Sequence, residues 1–319
     1  MLIDENGIFQ GMLSGGCLEG DLAIRAQAVI ETDTPQLLTY DLAADNDELW
    51  GLGVGCDGLM KVLLKPLTAA QDYEPFASIL DALDGDMPAV VSTVLQSSIE
   101  SAPVGAALVS VGGNHSAFEI GDDLLSKIVE GASEALSSGA TIREHITVAD
   151  NDALTLHSLI RPAPKILVLG GGLDAEPLLR FADELGWKCT VVDHRLAYIE
   201  KGDFGAAERT ICCAVDELSA KLELDGFDAA VVMSHHLASD RAYLEQLSGS
   251  DVAYVGLLGP LGRRNRLLSE LGDKGDALAG RLSGPAGFDI GGRGPASIAL
   301  SIVAEIQQVL TKAGNRIST

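Results

Sequence analysis

Aromatic side chains are scarce in this 319-residue chain, at 4% of the composition. Hydrophobic residues nonetheless reach 47%, so the core must be built mostly from Ala, Val, Leu and Ile. Basic residues are short as well. Lys plus Arg total 22 against 46 Asp plus Glu, for a formal charge of −24. Such a surface repels nucleic acid and anionic membrane, and neither is expected as a partner. It suits solubility or an acidic face that docks another protein. No apolar run reaches spanning length and no signal peptide stands at Met1, so a cytoplasmic location is expected. The five cysteines, Cys17, Cys56, Cys189, Cys212 and Cys213, form no C-x-x-C pair, and their odd number argues against a disulfide framework. Cys212 and Cys213 read as alternate faces of a strand. The six histidines show no zinc spacing.

What the chain does have is glycine, 36 residues of it, as an α/β protein with many tight turns requires. Its length suits two domains. The stiff stretch Arg161-Pro-Ala-Pro164 marks the boundary, giving an N-terminal α/β domain over 1–160 and a second domain over 161–319. In the first, strands are expected at Gln36–Asp41, Leu59–Leu64, Ala89–Leu95, Val104–Val111 and Ala153–Ile160, with an amphipathic helix over Asp122–Leu136. The second alternates strand and helix. Strands fall at Lys165–Leu169, Cys189–Asp193, Thr210–Val215, Ala229–Met233 and Val252–Leu257; helices include Leu261–Leu271 and Pro295–Leu310. Near-continuous apolar strands in βα units predict a Rossmann-like, doubly wound parallel sheet covered on both faces.

Two glycine-rich loops carry thiols. Ser14-Gly15-Gly16-Cys17-Leu18-Glu19 opens a helix predicted from Leu18 to about Glu31. A helix N-terminus with flanking glycines offers an anion cradle, here with a thiol at its lip. The other reading is a capped strand-to-helix turn with a structural Cys. Gly51–Gly58 forms the second loop, around Cys56. In the C-terminal half, Gly170-x-Gly172-x-x-Ala175 follows a strand and opens a helix, and Asp193 ends the next strand about 20 residues on, where an acid meets a ribose hydroxyl. Asp174 would sit beside the pyrophosphate and repel it. His235 and His236 stand at the carboxyl end of a strand, the ligand edge of such sheets. Arg263, Arg264 and Arg266 form a cationic cluster suited to phosphate, or a solvated helix face paired with Glu270. Glu305 shares a helix face with Ile298, Ile302 and Ile306 and needs a partner there.

In order, the segments Ser14-Gly-Gly-Cys-Leu-Glu19, Gly51-Leu-Gly-Val-Gly-Cys56, Leu169-Gly-Gly-Gly-Leu-Asp-Ala-Glu-Pro177 with Val192-Asp-His-Arg195, Met233-Ser-His-His236 with Tyr254-Val-Gly-Leu-Leu-Gly259, and Gly287-Phe-Asp-Ile-Gly291 with Ile298-Ala-Leu-Ser-Ile-Val-Ala-Glu305 span almost the whole chain. Through them the sequence resembles the XdhC/CoxI family, maturation factors for xanthine and carbon monoxide dehydrogenases. The resemblance implies a protein that binds molybdenum cofactor, supports its sulfuration and inserts it into a xanthine dehydrogenase-type molybdenum hydroxylase. It implies a cysteine desulfurase as a second partner, and a homodimer. Cys17 and Cys56 are then the candidate contacts to molybdenum or sulfur, with Ser14, Gly15, Gly16, Glu19, His235 and Arg263 around the cofactor. Family members carry a helix and strand, with an Arg-Gly-Ala-like segment, before the Ser-Gly-Gly-Cys loop; this sequence begins after it. Asp57 stands where the family often has glycine. Two alternatives stay open. One is an NAD(P)-dependent oxidoreductase using Gly170, Gly172, Ala175 and Asp193, with His235 or His236 as proton donor. The other is a docking protein that keeps the folds without a ligand.

Overall fold

The computed structural model describes residues 1–16, 18–41 and 58–314. Cys17, the acidic loop 45–48 and the second glycine loop with Cys56 lie outside the described residues. The chain divides into two compact units, with the division at Pro162 and Ala163.

The first unit opens with a short antiparallel pair, β1 (Leu2–Ile3) and β2 (Phe9–Gln10), followed by α1 (Glu19–Thr32). Strands β3 (Gln36–Asp41) and β4 (Leu59–Leu64) pair antiparallel. Leu18 and Leu22 at the start of α1 pack on Leu38 and Tyr40. After α2 (Phe76–Asp84) comes an antiparallel five-stranded sheet of β5 (Ala89–Ser97), β6 (Ala107–Val111), β7 (Asn114–Phe118), β8 (Ile142–Val148) and β9 (Asn151–Ile160), in the order β7-β6-β5-β9-β8. Helix α3 (Asp122–Ser138) has acids in its first turn and the left-handed Gly139 (φ +70°) after its last. Its stripe Leu124, Ile128, Ala132 and Ala135 buries against Val90, Val94, Leu108, Ile146 and Ala153 of the sheet. Each buried Val, Leu or Ile side chain among them contributes about 2 kcal/mol by leaving water.

Strands β7 and β8 were not foreseen. The side chains of β7 are mostly exposed, so its sequence carries no apolar alternation. In β8 the alternation is broken by Glu144, which stands between Ile142 and Ile146.

The second unit holds a parallel sheet of β10 (Lys165–Leu169), β11 (Lys188–Asp193), β12 (Arg209–Cys212), β13 (Ala229–Val232), β14 (Tyr254–Leu257) and β15 (Leu282–Ser283). Its order is β12-β11-β10-β13-β14-β15, the Rossmann order with a switch point between the first and fourth strands. Alternate residues of each strand feed two cores. Ile166, Val168, Cys189, Val191 and Val231 meet α4 (Ala175–Glu184) and α10 (Pro295–Gly314) on one face. Leu167, Leu169, Val192, Ala230 and Val232 meet α6 (Leu218–Lys221), α7 (Leu237–Leu247), α8 (Leu261–Leu271) and α9 (Asp273–Leu278) on the other. The remaining helix, α5 (Leu196–Lys201), follows β11. The strand expected at Thr210–Val215 is shorter and earlier: chain after Cys212 turns into a single-turn helix at Val215–Glu217. Cys212, the last residue of β12, is exposed, and Cys213 is buried but lies past the end of the strand, so the two are not alternate faces of it.

Candidate functional site

The loop entering α1 is built around one carboxylate. Glu19 is 2% exposed. Its Oε1 accepts the Leu13 and Ser14 amides, each at 2.8 Å. Its Oε2 accepts the Ser14 hydroxyl at 2.7 Å, the Gly16 amide at 3.0 Å and the Leu18 amide at 3.2 Å. Ser14 Oγ also accepts the Leu18 amide at 2.8 Å. The Ser14 amide and hydroxyl, opposed by burial and aided by the Leu13 amide, hold the Glu19 carboxyl down at about 2. Gly15 and Gly16 take positive φ, +73° and +106°, which lets the loop curl over the carboxylate. The anion cradle read from the sequence is therefore present, and its anion is Glu19 of the same chain. The amides of Leu13, Ser14, Gly16 and Leu18 are already engaged, because a tethered carboxylate outcompetes a dilute anion.

In the second unit the loops after β10 and β13 flank the switch point. Gly170 has φ +128°, and a Cβ there would stand 2.5 Å from the Met233 carbonyl oxygen. Only glycine lets these two strand ends approach so closely. Asp174, just before α4, turns its carboxylate back over Gly172, and His235 Nε2 meets Asp174 Oδ2 at 2.8 Å. The pair spans the crevice where a pyrophosphate would lie against the helix N-terminus. His235 holds a left-handed backbone, φ +61°, which is uncommon for a residue with a Cβ. His236 takes a different part: its Nδ1 accepts the Ser239 amide at 3.4 Å, capping the start of α7, and lies 3.1 Å from Ser239 Oγ.

Asp193 sits at the end of β11 as expected, but both of its oxygens are in use. Oδ1 accepts the Arg195 amide at 2.8 Å and Arg195 Nε at 2.9 Å. Oδ2 accepts the Gly171 amide at 2.8 Å and Arg195 Nη2 at 2.7 Å. Burial raises the Asp193 carboxyl, and the Arg195 guanidinium with the Gly171 and Arg195 amides outweighs it, so the group stays below the usual carboxylate range. The Arg195 guanidinium stacks on Tyr198, 3.6 Å from the ring centroid.

The three arginines of α8 do not converge. Arg263 turns inward and pairs with the fully buried Asp240 of α7, which also accepts the Ser234 hydroxyl. Gly259, at φ +133°, makes this possible, since a Cβ there would stand 2.8 Å from Arg263 Cδ. Arg264 donates to the Leu282 carbonyl at 3.3 Å, and Arg266 pairs with Glu270 at 2.7 Å on the surface. Glu305 on α10 has its partners: Tyr254 Oη at 2.6 Å, Ser283 Oγ at 2.7 Å and the Gly287 amide at 2.7 Å. Asp240 and the bridging role of Asp174 escaped the sequence reading. Asp240 gave one signal, an acid in the first turn of a helix right after Ser-His-His. Ala175 begins α4 and is fully buried, closing the helix onto the sheet. Among the described residues, no group of three His, Cys, Asp or Glu is placed to hold a metal ion, and no helix is long and apolar enough to cross a membrane.

The architecture defines a two-unit α/β protein whose Rossmann unit carries its own acidic and cationic groups at the ligand edge. Residues 166–306 match the family model described as the XdhC Rossmann domain, and residues 1–41 match the XdhC and CoxI family. The chain belongs to that family. It is 29% identical over 308 residues to a Bacillus subtilis protein described as a probable subunit of xanthine dehydrogenase, covering 97% of this chain and 86% of that one. An uncharacterized protein of Escherichia coli, YqeB, is 29% identical over 153 residues, or 47% of this chain and 28% of its own. A crystal structure described as a xanthine dehydrogenase from Bacillus halodurans superposes with a TM-score of 0.79 at 26% identity, covering 99% of this chain and 87% of that chain.

Proposed function

We propose that this protein is an accessory factor for a xanthine dehydrogenase-type molybdenum hydroxylase. It receives molybdenum cofactor as cargo, supports its sulfuration with a cysteine desulfurase, and delivers it to the hydroxylase, acting as a homodimer in the cytoplasm. The observation that carries the reading is the pair of family matches at both ends of the chain, over 1–41 and 166–306. The relative from Bacillus subtilis, itself described as part of a xanthine dehydrogenase, supports the partner.

The residues present fit the cargo in part. Four amides of the Ser14 loop, those of Leu13, Ser14, Gly16 and Leu18, are not open to its phosphate, because Glu19 occupies them. His235 and Arg263, at the crevice of the second unit, are engaged by Asp174 and Asp240, so an anionic group held there has to displace those carboxylates; Cys17 and Cys56 stand as the candidates for molybdenum or sulfur. The filled ligand edge weighs against the nicotinamide alternative: Asp193 has both oxygens committed to Arg195 and Gly171, and the Asp174–His235 pair lies over the glycine turn.

Equilibrium binding of purified molybdenum cofactor to the anaerobic, reduced protein tests this reading. Stoichiometric binding at micromolar concentration or tighter is expected, with retention lowered in Cys17→Ala. Absence of binding by the well-folded protein overturns it. Millimolar NAD is expected to leave the protein unliganded; saturable NAD binding weakened by Asp193→Ala would instead restore the oxidoreductase reading.

A further inference from the structure

In the first unit, three polar side chains form a row in the middle of an apolar interface. Ser92 of β5 and His157 of β9 are direct cross-strand partners, and Ser92 Oγ lies 2.7 Å from His157 Nδ1. His157 Nε2 lies 3.1 Å from Glu144 Oε2 of β8. Ser92 and His157 are fully buried, while the Glu144 side chain is 39% exposed at the far end of the row. The row stands under α3, flanked by the Leu124, Ile128, Ala132 and Ala135 stripe. The helix is cut away above it: a Cβ on Gly131 would collide with His157 Nε2 and lie 2.6 Å from Glu144 Oε2. Glycine inside a helix costs roughly 1 kcal/mol relative to alanine. Here it makes the room that lets an imidazole and a carboxylate fit between helix and sheet.

We propose that the Ser92–His157–Glu144 row is an acid-sensitive latch that holds α3 on the five-stranded sheet, closed around a neutral imidazole and loosened when that imidazole takes a proton from solvent.

The closed arrangement satisfies every member. A neutral His157 donates Nε2–H to Glu144 and accepts the Ser92 hydroxyl at Nδ1. Uptake of a proton makes both ring nitrogens donors. Ser92 must then accept instead of donate, and its own hydrogen is left to find an acceptor in an apolar core. The groups facing the ring are Ser92 from β5, Glu144 from β8 and Glu134 from α3. On β9 itself the buried Thr155 Oγ1 lies without a hydrogen-bond partner. Glu144, being part-exposed, is screened by water and compensates a buried cation only in part. Burial pushes the His157 imidazole down from its ordinary value, against the opposing pull of Glu144 and Glu134. The unfolded chain therefore binds the proton more readily than the folded one. Stability from this row is complete above about 6.5 and is lost as pH falls below it. Gly131 has no slack to give, so strain in the row is relieved by movement of the helix.

Amide hydrogen exchange at pH 7.5 and 5.5, corrected for intrinsic rates, tests the latch. In the wild type, protection of the α3 amides is expected to fall about tenfold relative to α4. In His157→Gln, which keeps hydrogen-bonding capacity without the titration, that differential loss should vanish. Equal loss in both proteins overturns the proposal. A second measurement needs no variant: the imidazole carbon-bound protons of His157, followed by NMR, should titrate below 6.5, and titration at or above that value also overturns it.

Discussion

Glu19 condenses the logic of the first loop into one side chain. Its carboxylate replaces the external anion that the Ser-Gly-Gly sequence invites, and four backbone amides with one hydroxyl converge on it. Removing the charge while keeping the shape, in Glu19→Gln, forces one donor to face an amide N–H. A lower melting temperature is expected. The pH profile gives a sharper readout. The folded carboxyl is held at about 2 against an ordinary 4.5. Its stabilisation is thus complete above about 4.5 and is lost progressively as pH falls toward 2. Thermal melts across that window should show this acid-side loss in the wild type and its absence in Glu19→Gln; superimposable profiles would refute the assignment. The site residues were only partly legible for a related reason. The sequence marks which groups bind anions, but whether the anion is internal depends on where a nearby carboxylate folds. Asp193 repeats the point, since its position follows from the strand pattern while its capture by Arg195 follows from a side-chain rotamer.

At the scale of elements, the second unit was the easier to read. Helix α8 runs from Leu261 to Leu271 as its apolar spacing implies, and the β10-to-α4 turn is announced by Gly170 and Gly172. Strands β7 and β8 carried no such signature, being an exposed edge and a strand with Glu144 on its buried face. Helix α10 is fastened to the sheet by Glu305, whose partners come from β14, β15 and the loop at Gly287. Glu305→Ala leaves the buried Tyr254 hydroxyl and the Gly287 amide unpaired. A loss of about 3 kcal/mol in urea denaturation is expected. Gly287 is constrained twice, by φ +91° and by α10 itself, since a Cβ would collide with Ser301 Oγ and stand 2.8 Å from the Ile302 amide nitrogen. Gly287→Ala should cost about 3 kcal/mol through strain and overpacking, read in the same experiment. A cost below the error of the measurement would mean the loop simply moves aside.

For the whole molecule, the two facts that matter are its division and its charge. The second unit has its own sheet and two complete cores. A fragment from Ala163 through α10 is therefore expected to fold alone, with one cooperative thermal transition. Broad, non-cooperative melting would show that it depends on the first unit. The formal charge of −24 implies self-repulsion in the compact state. Added neutral salt should raise the melting temperature of the full chain until that repulsion is screened.

The crossing of the switch point by Asp174 and His235 has a kinetic consequence. The two residues are 61 positions apart, and between them the chain must complete β11 and β12 before β13 returns to lie beside β10. Contacts of such long range are closed late, after the entropy of the intervening loop has been lost. The ligand edge thus closes only once β13 has docked beside β10. A chain in which β13 has not yet docked presents Asp174 and His235 apart, and the crevice exists only once that strand is in place.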